Sequence, residues 1–366
     1  MRGVARMTMV IIIVVVIALG GFAAYFVSSG LGTATSTTPT SITTCCSTNL
    51  LRIGYFANIN HGQALVGLFN GDFQNALGNS VQIKTTLFTA GPTEMTALLA
   101  GQLDMAYVGP SPAVNAFIQS NGTGLVIVSG ASNAGALFVV TNSSGIATAS
   151  AGGVTAQLMG KTFLGPQLGN TQDVALRHYL LENHLVPGVN VTVQDTSNAN
   201  IVTELVGNKA DGAWVPQPYA SLILSEAKAH VFLDERSLWP GGNFSTAELV
   251  VATPFLTAHP DVVERVVLAN VEETVWINSH LSQAAVLMND TIAKETGLGI
   301  SPGVLTSSLS TLSFTYDPLV ASVQQQAQNA YQLGFLGKTP PNLTGLFDLT
   351  ILNQVLSQQG LPEISS

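Results

Sequence analysis

A stretch that occurs twice constrains this chain more than any other feature. The first copy runs Leu98-Leu99-Ala100-Gly101-Gln102-Leu103-Asp104-Met105-Ala106-Tyr107-Val108-Gly109-Pro110-Ser111-Pro112, and the second Glu204-Leu205-Val206-Gly207-Asn208-Lys209-Ala210-Asp211-Gly212-Ala213-Trp214-Val215-Pro216-Gln217-Pro218. Each reads as a helix closed by a glycine, an aspartate, a short apolar strand ending on an aromatic and a valine, and Pro-x-Pro opening a further helix. The copies slip by single residues around the aromatic, so they form a structural echo and not a strict repeat. Ordinary strand-to-helix punctuation arising twice by chance is the competing account.

In an open α/β sheet, ligands bind beyond the carboxyl ends of the strands, where helix N-termini present free N–H groups and partial positive charge. Two such edges in one chain predict two lobes facing one cleft. With 366 residues and 46% apolar content the chain can bury two domains. Only 9% of residues are charged and the net charge is −9. Nucleic acid is an unsuitable partner, because phosphate binding needs clustered cations.

Met9 to Val27 is free of charge, rich in Ile and Val, and preceded by Arg2 and Arg6. This predicts a membrane anchor over residues 1–28 with the body exported; a cleaved signal peptide is the alternative, and it exports the body too. Residues 29–49 are rich in Ser and Thr and read as an exposed tether. Adjacent Cys45 and Cys46, the only cysteines, form no disulfide framework. Six Asn-x-Ser/Thr triplets begin at Asn121, Asn142, Asn190, Asn243, Asn289 and Asn342, and on an exported chain they make glycosylation plausible.

The body begins at Leu50. Strands are expected at Leu51–Tyr55, Val81–Phe88, Leu125–Val128, Ala136–Val140, Lys161–Leu164, Val191–Val193, His230–Leu233 and Leu249–Ala252, with helices between them and only helices beyond Pro260. That order describes one lobe, 50–132 with 247–366, interrupted by another, 133–246. The two crossing segments then act as hinges around the cleft.

The chain resembles the solute-binding subunits of ATP-driven importers of the nitrate, taurine and aliphatic-sulfonate group, from Leu51 to about Pro362, and looks closest to the sulfonate-binding branch. The resemblance is carried by Leu51-Arg52-Ile53-Gly54-Tyr55, Ala90-Gly91-Pro92, Gly109-Pro110-Ser111-Pro112, Ala213-Trp214-Val215-Pro216-Gln217-Pro218-Tyr219, Leu238-Trp239-Pro240-Gly241-Gly242 and Phe314-Thr315-Tyr316-Asp317-Pro318. Where relatives often carry an acid before the second proline, this chain has Gln217. The resemblance implies an α/β type II periplasmic-binding-protein fold of two Rossmann-like lobes joined by a two-segment hinge. It also implies no catalysis, no cofactor, and delivery of a small anion to permease subunits served by a separate ATPase. The expected working unit is an extracytoplasmic monomer.

The candidate ligand residues are Asn58, His61, Gly91, Pro92, Tyr107, Gly109, Ser111, Asn133, Gly169, Asn170, Thr171, Trp214, Gln217 and Glu248. Helix starts at Gly91, Ser111 and Asn170 offer N–H donors to a sulfonate, nitrate or carboxylate without a fixed cation. Capping alone would also explain Ser111, Asn170 and Thr171. Tyr107 and Trp214 end their strands and would wall the pocket, or fill the core instead. Asn58 and His61 lie in the loop after the first strand, where His61 reads ligand or satisfies carbonyls. Glu248, on the returning crossing, would read an amine or stand solvated.

Enzymatic readings lack their parts. There is no His-Glu-x-x-His, Gly-x-Gly-x-x-Gly, P-loop or Gly-x-Ser-x-Gly, and six scattered histidines make no metal site. A cleft lyase on the same fold and a receptor ectodomain are the readings from other classes. A nitrate, bicarbonate or thiamine-precursor pyrimidine is the alternative ligand within the group.

Overall fold

The computed structural model describes residues 47–365. The expected anchor, nearly all of the tether and both cysteines lie outside them; among the described residues no helix is long and apolar enough to cross a membrane.

The strands, in chain order, are β1 (Leu50–Phe56), β2 (Gln82–Phe88), β3 (Met105–Val108), β4 (Leu125–Ala134), β5 (Ala136–Thr141), β6 (Thr162–Gly165), β7 (Thr192–Asp195), β8 (Gly212–Pro216), β9 (Ala229–Asp234), β10 (Ser245–Ala252) and β11 (Leu312–Phe314). The helices are α1 (Asp72–Leu77), α2 (Gly91–Leu99), α3 (Pro110–Gln119), α4 (Val154–Leu158), α5 (Thr171–Glu182), α6 (Asn198–Val206), α7 (Tyr219–Glu226), α8 (Thr253–Ala258), α9 (Pro260–Ser279), α10 (Leu281–Thr296), α11 (Pro302–Leu309), α12 (Val320–Gln332) and α13 (Thr350–Gln358). The run after β1 is a tight turn at Ile59–His61 followed by a single π-helical stretch, Ala64–Leu68.

Two sheets result. One has the order β11-β4-β10-β3-β1-β2, the other β7-β6-β8-β5-β9. The echo strands hold the same place in each. β3 lies between parallel β1 and antiparallel β10, and β8 between parallel β6 and antiparallel β5. In both sheets the antiparallel neighbour is a strand that has just arrived from the other sheet: β5 follows β4 after one residue, and β10 follows β9 through Glu235–Phe244.

The echoed aspartates explain why the motif recurs. Asp104 Oδ2 accepts the Arg52 N–H at 2.7 Å, and the Asp104 N–H donates to Arg52 O at 2.9 Å. Asp211 repeats this on Thr162, with the Thr162 N–H donating to Oδ2 and the Asp211 N–H to Thr162 O, each at 2.8 Å. Each carboxylate also meets a cation, Arg52 for Asp104 and Lys161 for Asp211. The aspartate thus clamps the start of the echo strand to its parallel neighbour and fixes their register.

Central strands are apolar throughout because helices cover both faces. All of β10 is buried: Ala247, Leu249 and Val251 pack toward α9 and α13, while Val250 and Ala252 pack with residues of α3 and α12. Helix α9 opens on Pro260 and buries Val262, Val263, Val266 and Val267, a four-residue spacing that lays one stripe on the sheet. Each such valine or leucine contributes about 2 kcal/mol on burial. Beyond Pro260 the chain is not wholly helical, because Leu312–Phe314 pairs antiparallel with Ser132–Ala134 as β11. That strand has no local periodicity, and its partner lies far back in the sequence.

Candidate functional site

Helices α2, α3 and α5 begin within contact of one another, although α2 and α3 follow strands of the six-stranded sheet and α5 follows β6 of the other. Gly109 caps α3, and a Cβ on it would lie 2.4 Å from Thr171 Oγ1. The Ser111 N–H reaches Thr171 Oγ1 at 3.4 Å. A Cβ on Gly91, first residue of α2, would meet the Pro112 ring at 2.4 Å and Asn170 Oδ1 at 3.1 Å. Asn170 stands at the cap of α5 with no side-chain capping bond, its carboxamide directed to α2. Pro92 fills the second position of α2 and has no N–H to leave unpaired. Gly169, at φ +80°, turns the chain into α5 and donates its N–H to Asp173 Oδ2 at 2.9 Å.

Buried polar atoms at the start of α3 and in the turn after β1 have no partner. Ser111 Oγ is one, in a residue 3% exposed. In the turn after β1, Asn60 donates to Thr246 O at 3.4 Å and leaves its Oδ1 unbonded. His61 accepts the Phe56 N–H on Nδ1 at 3.2 Å, which puts the ring proton on Nε2, and Nε2 has no acceptor. Burial holds this imidazole neutral, with its pKa brought down to about 3. Asn58 is buried beside it, its carbonyl taken by the His61 N–H. Native interiors rarely leave such groups unmatched, so atoms like these mark where a ligand or water belongs.

Other candidates lie elsewhere. Tyr107 is wholly buried and faces α9, donating its hydroxyl to Asn270 Oδ1 at 2.7 Å. Trp214 stacks on Phe138 at 5.3 Å and donates its indole N–H to Glu235 Oε2 at 2.6 Å. Both rings fill cores and wall no cleft, because a strand inside a doubly covered sheet turns its side chains into helix layers. Gln217 is also fully buried; it donates to Thr311 Oγ1 at 3.0 Å and accepts the Ser221 N–H at 3.1 Å, which ties α7 to the chain before β11. Asn133 bridges the two crossings, donating to Asn243 Oδ1 at 2.7 Å and accepting the Phe244 N–H at 2.9 Å. Glu248 is not solvated. It is fully buried, Oε1 bonded by Ser245 and Oε2 unpartnered, and burial, with Asp317 nearby, pushes its carboxyl well above the usual range.

Sequence reasoning passed over Asn60, Thr246 and Glu94. Asn60 lies between the named Asn58 and His61, in the same polar turn after β1, and that position was the usable signal. Glu94 stands in the first turn of α2, yet its side chain turns inward against Gly54, both oxygens unpartnered, and burial raises its pKa strongly. No group of three His, Cys, Asp or Glu among the described residues could hold a metal ion.

A separate groove of about 1060 Å³ opens between α5 and α12, floored by the β9–β10 crossing. Tyr179, Trp239, Glu182 and Asp317 stand in it, and no Lys or Arg among the described residues lines it. Such walls repel an anion.

Residues 47–289 match the NMT1-like family. The chain belongs to that family. No curated protein matches it by sequence. Among solved structures, this NMT1-like chain is similar to the alkanesulfonate-binding protein from Xanthomonas axonopodis pv. citri bound to MOPS, with 21% identity and TM-score 0.66 over 82% of this chain and 99% of that one. The periplasmic aliphatic sulphonate binding protein from Escherichia coli is similar at 22% identity and TM-score 0.65, over 82% and 92%. So is the periplasmic nitrate-binding protein from Synechocystis PCC 6803, at 12% identity and TM-score 0.67 over 86% and 90%. At these identities the likeness is one of fold: a mixed α/β periplasmic-binding-protein-like architecture with two sheets.

Proposed function

We propose that this NMT1-like chain is the extracytoplasmic solute-binding subunit of an ABC-type importer. Residues 50–132 with 247–366 form one lobe and 133–246 the other, and a small organic anion, an aliphatic sulfonate or taurine, is held between them. One observation carries this reading: the start of α3 touches the start of α5 through Gly109, Ser111 and Thr171. Each helix start carries about half a positive charge. Two in contact repel unless something negative lies near, and an anion would take up both. Ser111 Oγ, unbonded and buried, supplies a hydroxyl donor, and the orphaned N–H of His61 a second. Binding without lysine or arginine suits a carrier, since dipoles hold an anion without the grip of a buried ion pair and reopening releases it.

Catalysis has no place in this reading. His61 and Glu248, the two titratable groups named for the cleft, are buried on separate partners, His61 on the Phe56 N–H and Glu248 on Ser245, and no hydrogen bond joins them into the acid/base pair that a cleft lyase needs.

A thermal-shift panel on the full chain in mild detergent tests the ligand class. Alkanesulfonates or taurine should raise the melting temperature, by a binding free energy that grows with ligand concentration. A shift by nitrate or bicarbonate alone would keep the anion and change its identity. A shift by a pyrimidine or an organic cation alone would remove the anion assignment.

A further inference from the structure

The six Asn-x-Ser/Thr triplets are alike in sequence and unlike in the fold. Transfer of a glycan onto a folded chain needs an accessible asparagine, a carboxamide nitrogen free to attack, and an accessible hydroxyl two residues on for the transferase to hold. Three triplets fail on the third residue. Ser144 is buried and donates to Thr141 O at 2.6 Å; Ser245 is buried against Glu248; Thr291 is buried and donates to Leu65 O at 2.8 Å. These remove Asn142, Asn243 and Asn289. Asn190 fails on its own side chain, whose Oδ1 accepts the Val186 N–H at 2.6 Å and whose Nδ2 donates to His184 O at 3.4 Å.

Two triplets pass. Asn121 and Thr123 are exposed in the turn between α3 and β4, where Asn121 takes φ +53° and the Thr123 hydroxyl, although it donates to Ser120 O at 2.8 Å, faces solvent and is not buried as the other three are. Asn342 and Thr344 are exposed in the loop before α13, with Asn342 Oδ1 accepting the Thr344 N–H at 3.0 Å, which leaves Nδ2 turned free.

We propose that Asn121 and Asn342 are N-glycosylation sites of this chain and that the other four triplets stay bare. The donor class is a glycan linked through phosphate to a polyisoprenol. Nδ2 bonds to the anomeric carbon, the bond from that carbon to the phosphate oxygen breaks, the lipid phosphate leaves, and the Nδ2 proton passes to a base of the transferase.

Position supports the pairing. The loop that carries Asn342 goes on to run beside the start of β4, where the Ile127 N–H donates to Leu346 O at 2.7 Å, and Asn121 lies just ahead of that start. β4 runs antiparallel to β10 and so parallel to β3, which puts its start at the end of the sheet opposite the beginnings of α2 and α3. Glycans there leave the candidate cleft open. A glycan on Asn243 would instead crowd the crossing that Asn133 ties together.

The inference rests on the exported reading above, and the experiment separates the two. Intact cells expressing the full chain are labelled with a membrane-impermeant biotin reagent, and the purified chain is then mapped by glycopeptide mass spectrometry. Glycan on the Asn121 and Asn342 peptides and on neither Asn142, Asn190, Asn243 nor Asn289 is the expected result. Thr123→Ala and Thr344→Ala should each remove one of the two additions. A labelled chain that is bare at either site, or that carries glycan at any of the other four, overturns the site assignment and leaves export standing. An unlabelled chain overturns both.

Discussion

Gly109 and Thr171, on elements of different sheets, stand so close that a methyl group on the glycine would lie 2.4 Å from the threonine hydroxyl oxygen. Gly109→Ala is therefore expected to hold the two helix starts apart. With the closed form weakened by more than about 1.4 kcal/mol, ligand affinity should fall at least ~10-fold. Adding Thr171→Ala removes the oxygen in the way and should restore part of the loss. Calorimetric titration of the single and double variants reads the coupling.

Ser111→Ala removes a hydroxyl that is buried without a partner. The unliganded protein should melt at the same temperature or slightly higher, since an unpaired buried group destabilises. Affinity should drop by about 1 kcal/mol or more, roughly 5- to 10-fold, if that hydroxyl serves the anion. Equal affinity in both proteins would remove Ser111 from the site.

Glu235 sits buried between two indoles, accepting from Trp214 and Trp239, and burial raises its pKa to about 7 from 4.5. The folded chain therefore binds this proton more tightly than the unfolded chain. The stabilisation is complete below about pH 4.5 and lost as pH rises to about 7. Glu235→Gln imitates the protonated form, so wild type should lose stability relative to it across that window, on the order of 3 kcal/mol, and run parallel above pH 7. Denaturant melts at a series of pH values measure the difference.

The two echoed aspartates should differ in weight despite equal roles. The side chain of Asp104 is 5% exposed and that of Asp211 27%. Asp104→Ala strands the part-buried Arg52 N–H, while the guanidinium keeps its bond to Gly101 O, and should cost on the order of 2 kcal/mol, whereas Asp211→Ala should cost about 1 kcal/mol. Chemical denaturation ranks them, and the reverse order would contradict the clamp.

Tyr107→Phe leaves Asn270 Oδ1 without its donor. A loss of about 1–2 kcal/mol in stability with unchanged ligand affinity is expected. A fall in affinity without a fall in stability would return Tyr107 to the cleft.

The architecture was legible where local chemistry repeats. Gly, Asp, apolar strand and Pro-x-Pro recur because two sheets place the same clamp on the same strand, and that much follows from residue order alone. The helix starts at Gly91, Ser111 and Asn170 were legible through Pro and cap residues, but their mutual contact depends on how two sheets close, which no local pattern encodes. Tyr107 and Trp214 stayed open between cleft wall and core for a related reason: a strand-terminal aromatic reads as cleft wall only if the layer beside it is open, and helix α9 and the Phe138 cluster close those layers. β11 stayed hidden because a three-residue strand is defined by its distant partner, not by its own sequence.

Helix α12 packs with α3 on the six-stranded side yet lies across α5, and His178 Nε2 meets Gln332 Oε1 there at 2.9 Å. Val174 of α5 is buried in the same apolar cluster as Val323 and Ala327 of α12, so the two helices share a patch of core as well as that polar touch. Swinging the halves apart would strip that patch together with the contacts of Thr171 with Gly109 and Ser111 and of Gln217 with Thr311, so the empty protein already leans toward the shut arrangement and a guest only deepens that preference.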